Sequence, residues 1–166
     1  MTVADLIKPS NILCNVSVRS KKHCLELLSE LLARSTSGIE TEEVFAKLFE
    51  RERLGSTGLG NGVAFPHCRF KGITVGNAAM LKLVEPVEFD SPDNEYVDLV
   101  FGLMVPEEVT EGHRDVIAEI TELLGDQDVR HRLRAANDSN ELLEVLRESL
   151  HDESSLSTPR NAARKS

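Results

Sequence analysis

The chain has 166 residues, of which 40% are hydrophobic and 28% charged, and its formal net charge is −9 at pH 7. These values suit one globular domain with a buried core, and the acidic balance argues against nucleic-acid binding, which needs a basic surface. The apolar runs are too short to span a bilayer and no signal-peptide pattern is present. We therefore expect a cytoplasmic protein without direct membrane insertion.

A strand and two amphipathic helices are predicted in the first third of the chain. The strand covers residues 11–18. Ser20 can cap the first helix and Thr41 the second, which should end near Gly55. The positions expected to face inward are Cys24, Leu25, Leu28, Leu31 and Leu32 in the first helix, and Val44, Phe45, Leu48 and Phe49 in the second.

Strands follow, and helices return after Pro106. Apolar runs predict strands at 63–65, 78–84 and 97–105, the last of them central and buried on both faces. Helical stripes lie at 116–124, 129–133 and 142–150, the last after a capping box that begins at Asp138. This order indicates an α/β domain, residues 1–150, with helices packed on the faces of a sheet. Residues 151–166 are polar and aperiodic, so we expect a disordered tail.

A glycine-rich run separates the second helix from the first of these strands. Its spacing, Gly55-x-x-Gly58-x-Gly60-x-Gly62, matches neither a dinucleotide-binding nor a P-loop pattern. Two interpretations remain open. The run is either a glycine-rich turn or a flexible collar whose exposed amides can meet an anion.

His67 comes shortly after this run. Because Pro66 cannot donate a ladder hydrogen bond, we expect the imidazole to project at a strand end. A neutral imidazole can attack phosphorus with one ring nitrogen while the other donates a hydrogen bond. A surface histidine without a task is the alternative interpretation.

Two further side chains can complete such a site. His113 extends the apolar stripe of the helix that contains Val116, near the end where the helix dipole favours an anion. Arg51 falls in the last turn of the Thr41 helix, and its guanidinium suits phosphate oxygens. Periodicity alone does not single out Arg51, since Glu52 lies nearer the centre of the stripe. A core-edge histidine and a solvated charge cluster are the alternatives.

The three cysteines, Cys14, Cys24 and Cys68, are an odd number without CxxC spacing. A disulfide framework is therefore not expected, and a reducing compartment fits better. No ligands at metal spacing accompany His67 and Cys68, so no metal site is expected. A metal-dependent hydrolase that uses His67 and His113 is disfavoured because suitably spaced carboxylates are missing.

The block at 51–67, RERLGSTGLGNGVAFPH, resembles the signature of type-2 IIA domains of the bacterial phosphotransferase system, the mannitol/fructose class. The resemblance covers residues 3–150. The early Ile-Leu segment, the Val105-Pro106-Glu107-Glu108 turn and the stretch at 132–136 are most similar to the nitrogen-regulatory branch. The family's fold is a mixed β-sheet flanked by helices on both faces.

The resemblance also implies roles for individual residues. His67 matches the histidine that is phosphorylated at Nε2, His113 the second active-site histidine, and Arg51 the arginine before the glycine run. The glycine run would help to hold the phosphoryl oxygens, and no cofactor or metal is implied. One departure is Cys68, where relatives often carry a smaller residue. The residues expected from the run are Ser56, Thr57, Gly58, Gly60 and Asn61.

The implied donor is a histidine-phosphorylated, HPr-like carrier protein. The leading hypothesis is a regulatory phosphocarrier that binds partners, such as sensor kinases or potassium transporters, according to its phosphorylation state. The alternative is a sugar-transport IIA component that passes its phosphate to a separate IIB domain of a fructose- or mannitol-type permease. A pure binding module without phosphotransfer is a third possibility.

Overall fold

The computed structural model describes residues 2–108 and 111–157, except for the side chains of 111–113 and 151–157. Within these residues the chain forms six helices and six strands, which build one mixed α/β domain. In chain order they are α1 Val3–Leu6, β1 Ile7–Val16, α2 Lys21–Arg34, α3 Thr41–Leu54, β2 Gly58–Gly60, β3 Val63–Ala64, β4 His67–Phe70, β5 Asn77–Val87, β6 Val97–Pro106, α4 Glu111–Gly125, α5 Gln127–Ala135 and α6 Ser139–Ser157.

The strands form one sheet in the order β1-β5-β6-β3-β2, with β4 also beside β6. β6 is central, as its apolar run predicted. It pairs antiparallel with β5 on one side and parallel with both β3 and β4 on the other. β3 and β4 therefore lie end to end along the same side of β6, separated by Phe65 and Pro66.

Helices cover both faces of the sheet, which confirms the predicted fold class. Because side chains of a strand alternate between faces, β6 sends Leu99, Phe101 and Leu103 into one core and Val100 and Met104 into the other. α1, α4, α5 and α6 complete the first core, and α2 and α3 complete the second.

The local signals for α2 are confirmed by the structure. Ser20 is its N-cap, and the Ser20 hydroxyl accepts a hydrogen bond from the His23 amide at 3.1 Å. All five apolar positions predicted for this helix are buried. α2 lies so close to the sheet that a Cβ at Gly102 would sit 2.9 Å from Leu28 Cδ2, which explains a glycine inside the central strand.

The prediction for α3 needs two corrections. Its N-cap is Glu40, one residue before Thr41, and the Glu43 carboxylate accepts from the Glu40 amide at 2.9 Å. Phe49 was expected to face inward, yet it is 41% exposed, whereas Glu52 is buried. The stripe turns toward Glu52 because its carboxylate has buried partners at the end of the helix.

Other features also differ from the sequence prediction. The middle of the glycine run is strand β2, and His67 lies at a strand end as expected, but that end is the start of an unpredicted strand, β4. Strands of three and four residues give too short a pattern to recognise. α6 continues to Ser157, past the expected start of the tail at 151, and residues 158–166 lie outside the described part of the chain.

Lys82 interrupts the apolar run of β5 for a structural reason. Its ammonium donates to the carbonyl oxygens of Arg134 at 2.6 Å and Ala136 at 2.5 Å, at the end of α5. These carbonyls belong to the group that a helix end leaves without intrahelical partners. Across the described residues, no helix combines the length and the apolarity that a membrane crossing requires.

Candidate functional site

His67 is the first residue of β4, directly after the break between β3 and β4. Pro66 has no amide hydrogen, but its carbonyl oxygen accepts from the Leu103 amide at 3.0 Å, so β4 starts in register beside β6. The imidazole is only partly buried. A central strand thus fixes the backbone of His67 while part of the ring stays open to solvent.

One ring nitrogen of His67 is hydrogen-bonded within the protein. Nδ1 lies 2.8 Å from the carbonyl oxygen of Phe65, and the Phe65 ring packs against the imidazole with centroids 4.7 Å apart. Because a carbonyl oxygen can only accept, Nδ1 must carry the proton. In the neutral ring, Nε2 is therefore the nitrogen with a free lone pair, which is the nucleophilic form.

Burial lowers the pKa of His67 below its ordinary value of 6.5, because it penalises the charged ring. The hydrogen bond to the Phe65 carbonyl raises this pKa, and the charge of Arg51 lowers it. Two smaller effects follow: the charge of Glu52 raises the pKa and that of Arg69 lowers it. The net direction is downward, so the ring is neutral at pH 7.

His67 lines an open cleft of about 910 Å³ between β4, α3 and α4. The cleft carries four cationic side chains, although the whole chain is strongly acidic. Because a doubly charged anion is stabilised by nearby cations, this cleft is suited to a phosphoryl group. The residues that line it are Lys47, Glu50, Arg51, Arg53, Leu54, His67, Cys68, Arg69, Val105, Glu107 and Ile117.

Arg51 reaches this cleft from the last turn of α3, as the sequence suggested. Its Nη1 donates to the carbonyl oxygen of Gly55 at 2.8 Å, which holds the side chain across the end of the helix. Five N–H donors belong to a guanidinium, so others stay available for an anion. The structure thus brings Arg51 and His67 into one cleft.

His113 lies in the first turn of α4, and its side chain falls outside the described residues. Ile117, one helical turn later, lines the cleft. A role for His113 stays a prediction.

The glycine run has a different environment from the one expected. Of the described residues that line the cleft, none belongs to the run. Asn61 and Gly62 have φ values of 58° and 78° and form the tight turn of the β2–β3 hairpin, a pairing typical of a type I′ turn. The Asn-Gly dipeptide between apolar strands is a signal that could have revealed this hairpin.

The polar groups of the run are also engaged within the protein. The Ser56 hydroxyl donates to the Phe89 carbonyl at 2.7 Å and accepts from the Gly58 amide at 3.0 Å. The Thr57 amide and hydroxyl both bond to Glu52, and the Asn61 amide donates to Asp93. The geometry thus favours the turn interpretation over a phosphoryl collar, and Gly60 takes part as a β2 residue with a φ of 91°.

Cys68 follows His67 in β4 and packs in the second core. It is buried, and burial raises the pKa of its thiol to about 12. Because the thiolate is the reactive form, this cysteine is poorly suited to oxidation chemistry.

Comparison with known proteins places this geometry in a family. Residues 5–149 match the model described as "Phosphoenolpyruvate-dependent sugar phosphotransferase system, EIIA 2". The chain belongs to this family. Members of this phosphotransferase-system EIIA family are phosphotransferase components, and the resemblance drawn from residues 51–67 is thereby confirmed.

Individual relatives point to one branch of the EIIA family. The chain is 42% identical to a nitrogen regulatory protein of Pseudomonas aeruginosa, over 86% of this chain and 92% of that protein. The crystal structure of the nitrogen regulatory protein IIA-Ntr of Neisseria meningitidis matches with a TM-score of 0.82 and 37% identity, over 87% of this chain and 98% of that one.

A second solved structure is a IIA protein named for mannitol. The crystal structure of IIA mannitol from Escherichia coli matches with a TM-score of 0.67 and 26% identity, over 84% of this chain and 98% of that one. The fold is therefore shared with both solved structures, and the higher identity is with the nitrogen regulatory protein.

Proposed function

We propose that this EIIA protein is a regulatory phosphocarrier that accepts a phosphoryl group on Nε2 of His67. The observation that carries the proposal is the hydrogen bond from Nδ1 of His67 to the Phe65 carbonyl, at 2.8 Å. It leaves Nε2 unprotonated in a cleft with cationic side chains. The donor would be an HPr-like carrier with its own phosphohistidine, and no cofactor or metal takes part.

The transfer step balances without any other reactant. The Nε2 lone pair of His67 forms the new N–P bond, and the donor's N–P bond breaks with its electron pair returning to the donor imidazole. The proton on Nδ1 stays in place. Positive charge that develops on the ring of His67 is stabilised by the Phe65 carbonyl, because that oxygen accepts from Nδ1–H.

Charge stabilisation and positioning supply most of the rate in phosphoryl transfer. Arg51 is the side chain best suited to hold the phosphoryl oxygens, since it shares the cleft with His67 and has donors to spare. His113 is proposed as a further support for the phosphoryl group. Lys47, Arg53 and Arg69 add positive charge around the docking site.

The output of the cycle is proposed to be partner binding. Phosphorylation adds about two negative charges at pH 7, and these would appear in a cleft that is locally cationic. A partner that recognises the positive cleft would therefore lose affinity on phosphorylation. Such partners would be regulatory proteins, for which sensor kinases and potassium transporters are the candidate classes.

The decisive experiment is incubation with a phosphorylated HPr-like carrier, followed by location of the acid-labile phosphate by mass spectrometry. We expect one phosphoryl group on His67 and none in His67→Ala. Arg51→Gln should slow the transfer by roughly 100-fold, because one charged donor is lost, and Arg51→Lys should fall in between. Label that persists in folded His67→Ala would reject the proposal.

Sugar transport is the second candidate, and the likeness to IIA mannitol favours it. In that case the phosphoryl group would pass on to a separate IIB domain. Rapid transfer from the phosphorylated protein to a purified fructose- or mannitol-type IIB domain would support transport. Phosphorylation-dependent capture of a kinase or potassium transporter, without transfer to IIB, would support regulation.

A further inference from the structure

Glu52 is a buried carboxylate that the transfer step described above does not use. It lies in the last turn of α3 with 4% of its side chain exposed, and the Lys21 ammonium from α2 approaches its Oε2 at 2.9 Å. A carboxylate in such a place is costly unless it is paired and hydrogen-bonded. The position lies on the apolar stripe of α3, where a leucine would serve packing alone.

Both oxygens of Glu52 hold one residue of the glycine run. Oε2 accepts from the Thr57 amide at 2.8 Å, and Oε1 accepts from the Thr57 hydroxyl at 2.6 Å. Two bonds to one residue fix the orientation of the Thr57 backbone as well as its position. Lys21 in turn fixes the carboxylate, and also contacts Asp90 at 3.3 Å.

The same chain of contacts continues to the acceptor imidazole. The carbonyl oxygen of Thr57 accepts from the Phe65 amide at 2.9 Å. The carbonyl oxygen of Phe65 then accepts from Nδ1 of His67 at 2.8 Å. Phe65 itself is 2% exposed, and its ring packs on the imidazole. A continuous series of hydrogen bonds thus links Glu52 to His67 through Thr57 and Phe65.

We propose that Glu52, anchored by Lys21, is a positioning residue for His67 that acts through Thr57 and Phe65 to keep the proton on Nδ1. The proposal rests on the proposed function, in which Nε2 is the phosphoryl acceptor. Glu52 touches neither the phosphoryl group nor the donor. It keeps the imidazole in the tautomer and orientation that presents Nε2.

The test reads the tautomer directly and needs no phosphoryl donor. In protein labelled with ¹⁵N-histidine, long-range ¹H–¹⁵N correlation spectra distinguish the protonated ring nitrogen from the bare one. Wild-type His67 should give the Nδ1–H form at pH 7.5, well above the ordinary histidine pKa. In Glu52→Ala, where the anchor of Thr57 is lost, the Nδ1–H fraction should fall by about twofold or more.

Kinetics give a second readout of the same variant. Phosphoryl transfer in Glu52→Ala should show kcat reduced about tenfold, with KM for the donor little changed because the cleft surface is intact. Glu52→Gln should restore the wild-type tautomer, since its amide oxygen can still accept from the Thr57 amide. This rescue separates hydrogen-bond positioning from charge.

Two controls separate positioning from general destabilisation. Glu42→Gln removes an exposed carboxylate from the same helix, and Val129→Ala makes a core cavity on the other face of the sheet. Both should keep the wild-type imidazole spectrum. A change in Val129→Ala as large as that in Glu52→Ala would overturn the proposal, because loss of stability alone would then explain it.

An unchanged imidazole spectrum and unchanged kcat in folded Glu52→Ala would also overturn the proposal. If Glu52→Ala does not fold, Thr57→Ala decides, since it loses only the hydroxyl bond. A smaller shift of the tautomer in the same direction is expected there, and a spectrum identical to wild type contradicts the proposal. The NMR spectra do not depend on phosphorylation. If His67 is not the phosphoryl acceptor, the phosphorylation assay shows that independently of the tautomer measurement.

Discussion

His67 keeps its neutral form to lower pH than a free imidazole, and this gives a prediction at the scale of one residue. Burial lowers its pKa below 6.5, so half of the His67 rings become protonated only below that pH. The rate of phosphoryl acceptance, measured with excess phosphorylated donor, should fall as the pH is lowered, with a midpoint below 6.5. The direction follows because only the neutral ring can attack phosphorus.

The same pKa can be followed by NMR titration of the ¹⁵N-labelled imidazole. Arg51→Gln should raise the pKa of His67, because the charge of Arg51 is among the influences that lower it. A wild-type midpoint at or above 6.5 would contradict the burial that the structure shows. The folded state also loses stability as the pH falls through this pKa, since the unfolded chain binds the proton more tightly.

The β2–β3 hairpin gives a prediction at the scale of an element. Gly62 has a φ of 78°, and a Cβ added there would lie 2.5 Å from Nη2 of Arg134. Arg134 cannot easily move, because it donates to Asp98 at 2.9 Å and to the Asn61 carbonyl at 2.6 Å. Gly62→Ala should therefore carry the left-handed backbone cost of about 1 kcal/mol and an additional steric cost.

Gly38 provides the matched control for this hairpin. Its φ is 79°, yet no atom lies within 4 Å of an added Cβ. Gly38→Ala should therefore cost about 1 kcal/mol of unfolding free energy in urea, from backbone strain alone. If Gly62→Ala and Gly38→Ala lose equal amounts of unfolding free energy, the Arg134 side chain moves aside at no energetic cost.

At the scale of the whole molecule, the sheet separates two cores. Ile120 of α4 is fully buried in one core and Val44 of α3 in the other. Ile120→Val should cost about 1 kcal/mol and Val44→Ala about 1–3 kcal/mol. The double variant should equal their sum within about 0.5 kcal/mol, since the two sites share no contacts.

Urea unfolding of the two single variants and the double variant measures this coupling. Ile120→Val combined with Leu124→Ala is the control, because these side chains lie one turn apart in the same core. Coupling is expected in that pair. Coupling of similar size between Ile120 and Val44 would show that the sheet transmits packing changes between its faces.

Long periodic segments were predictable from the sequence, because burial imposes a repeat that the residue types reveal. α2, α4 and the central strand β6 lie close to where their apolar patterns placed them. The short strands β2 and β4 escaped prediction, since their three and four residues give no recognisable period. Phe49 was also misassigned, because a helical stripe indicates which side chains share a face and not which of them finds a buried partner. Glu52, nearer the centre of that stripe, is buried.

The sequence by itself determined the family and the identity of the candidate acceptor, since the block at 51–67 is long and specific. The tertiary structure decided which residues meet His67. It brought Arg51 and three other cations into one cleft, and it placed most of the glycine run in a hairpin whose described residues do not line that cleft. It also supplied the Phe65 carbonyl that fixes the proton on Nδ1. Ion pairs between residues remote in the chain, such as Lys21 with Glu52, form only when strands and helices pack, so no local pattern encodes them.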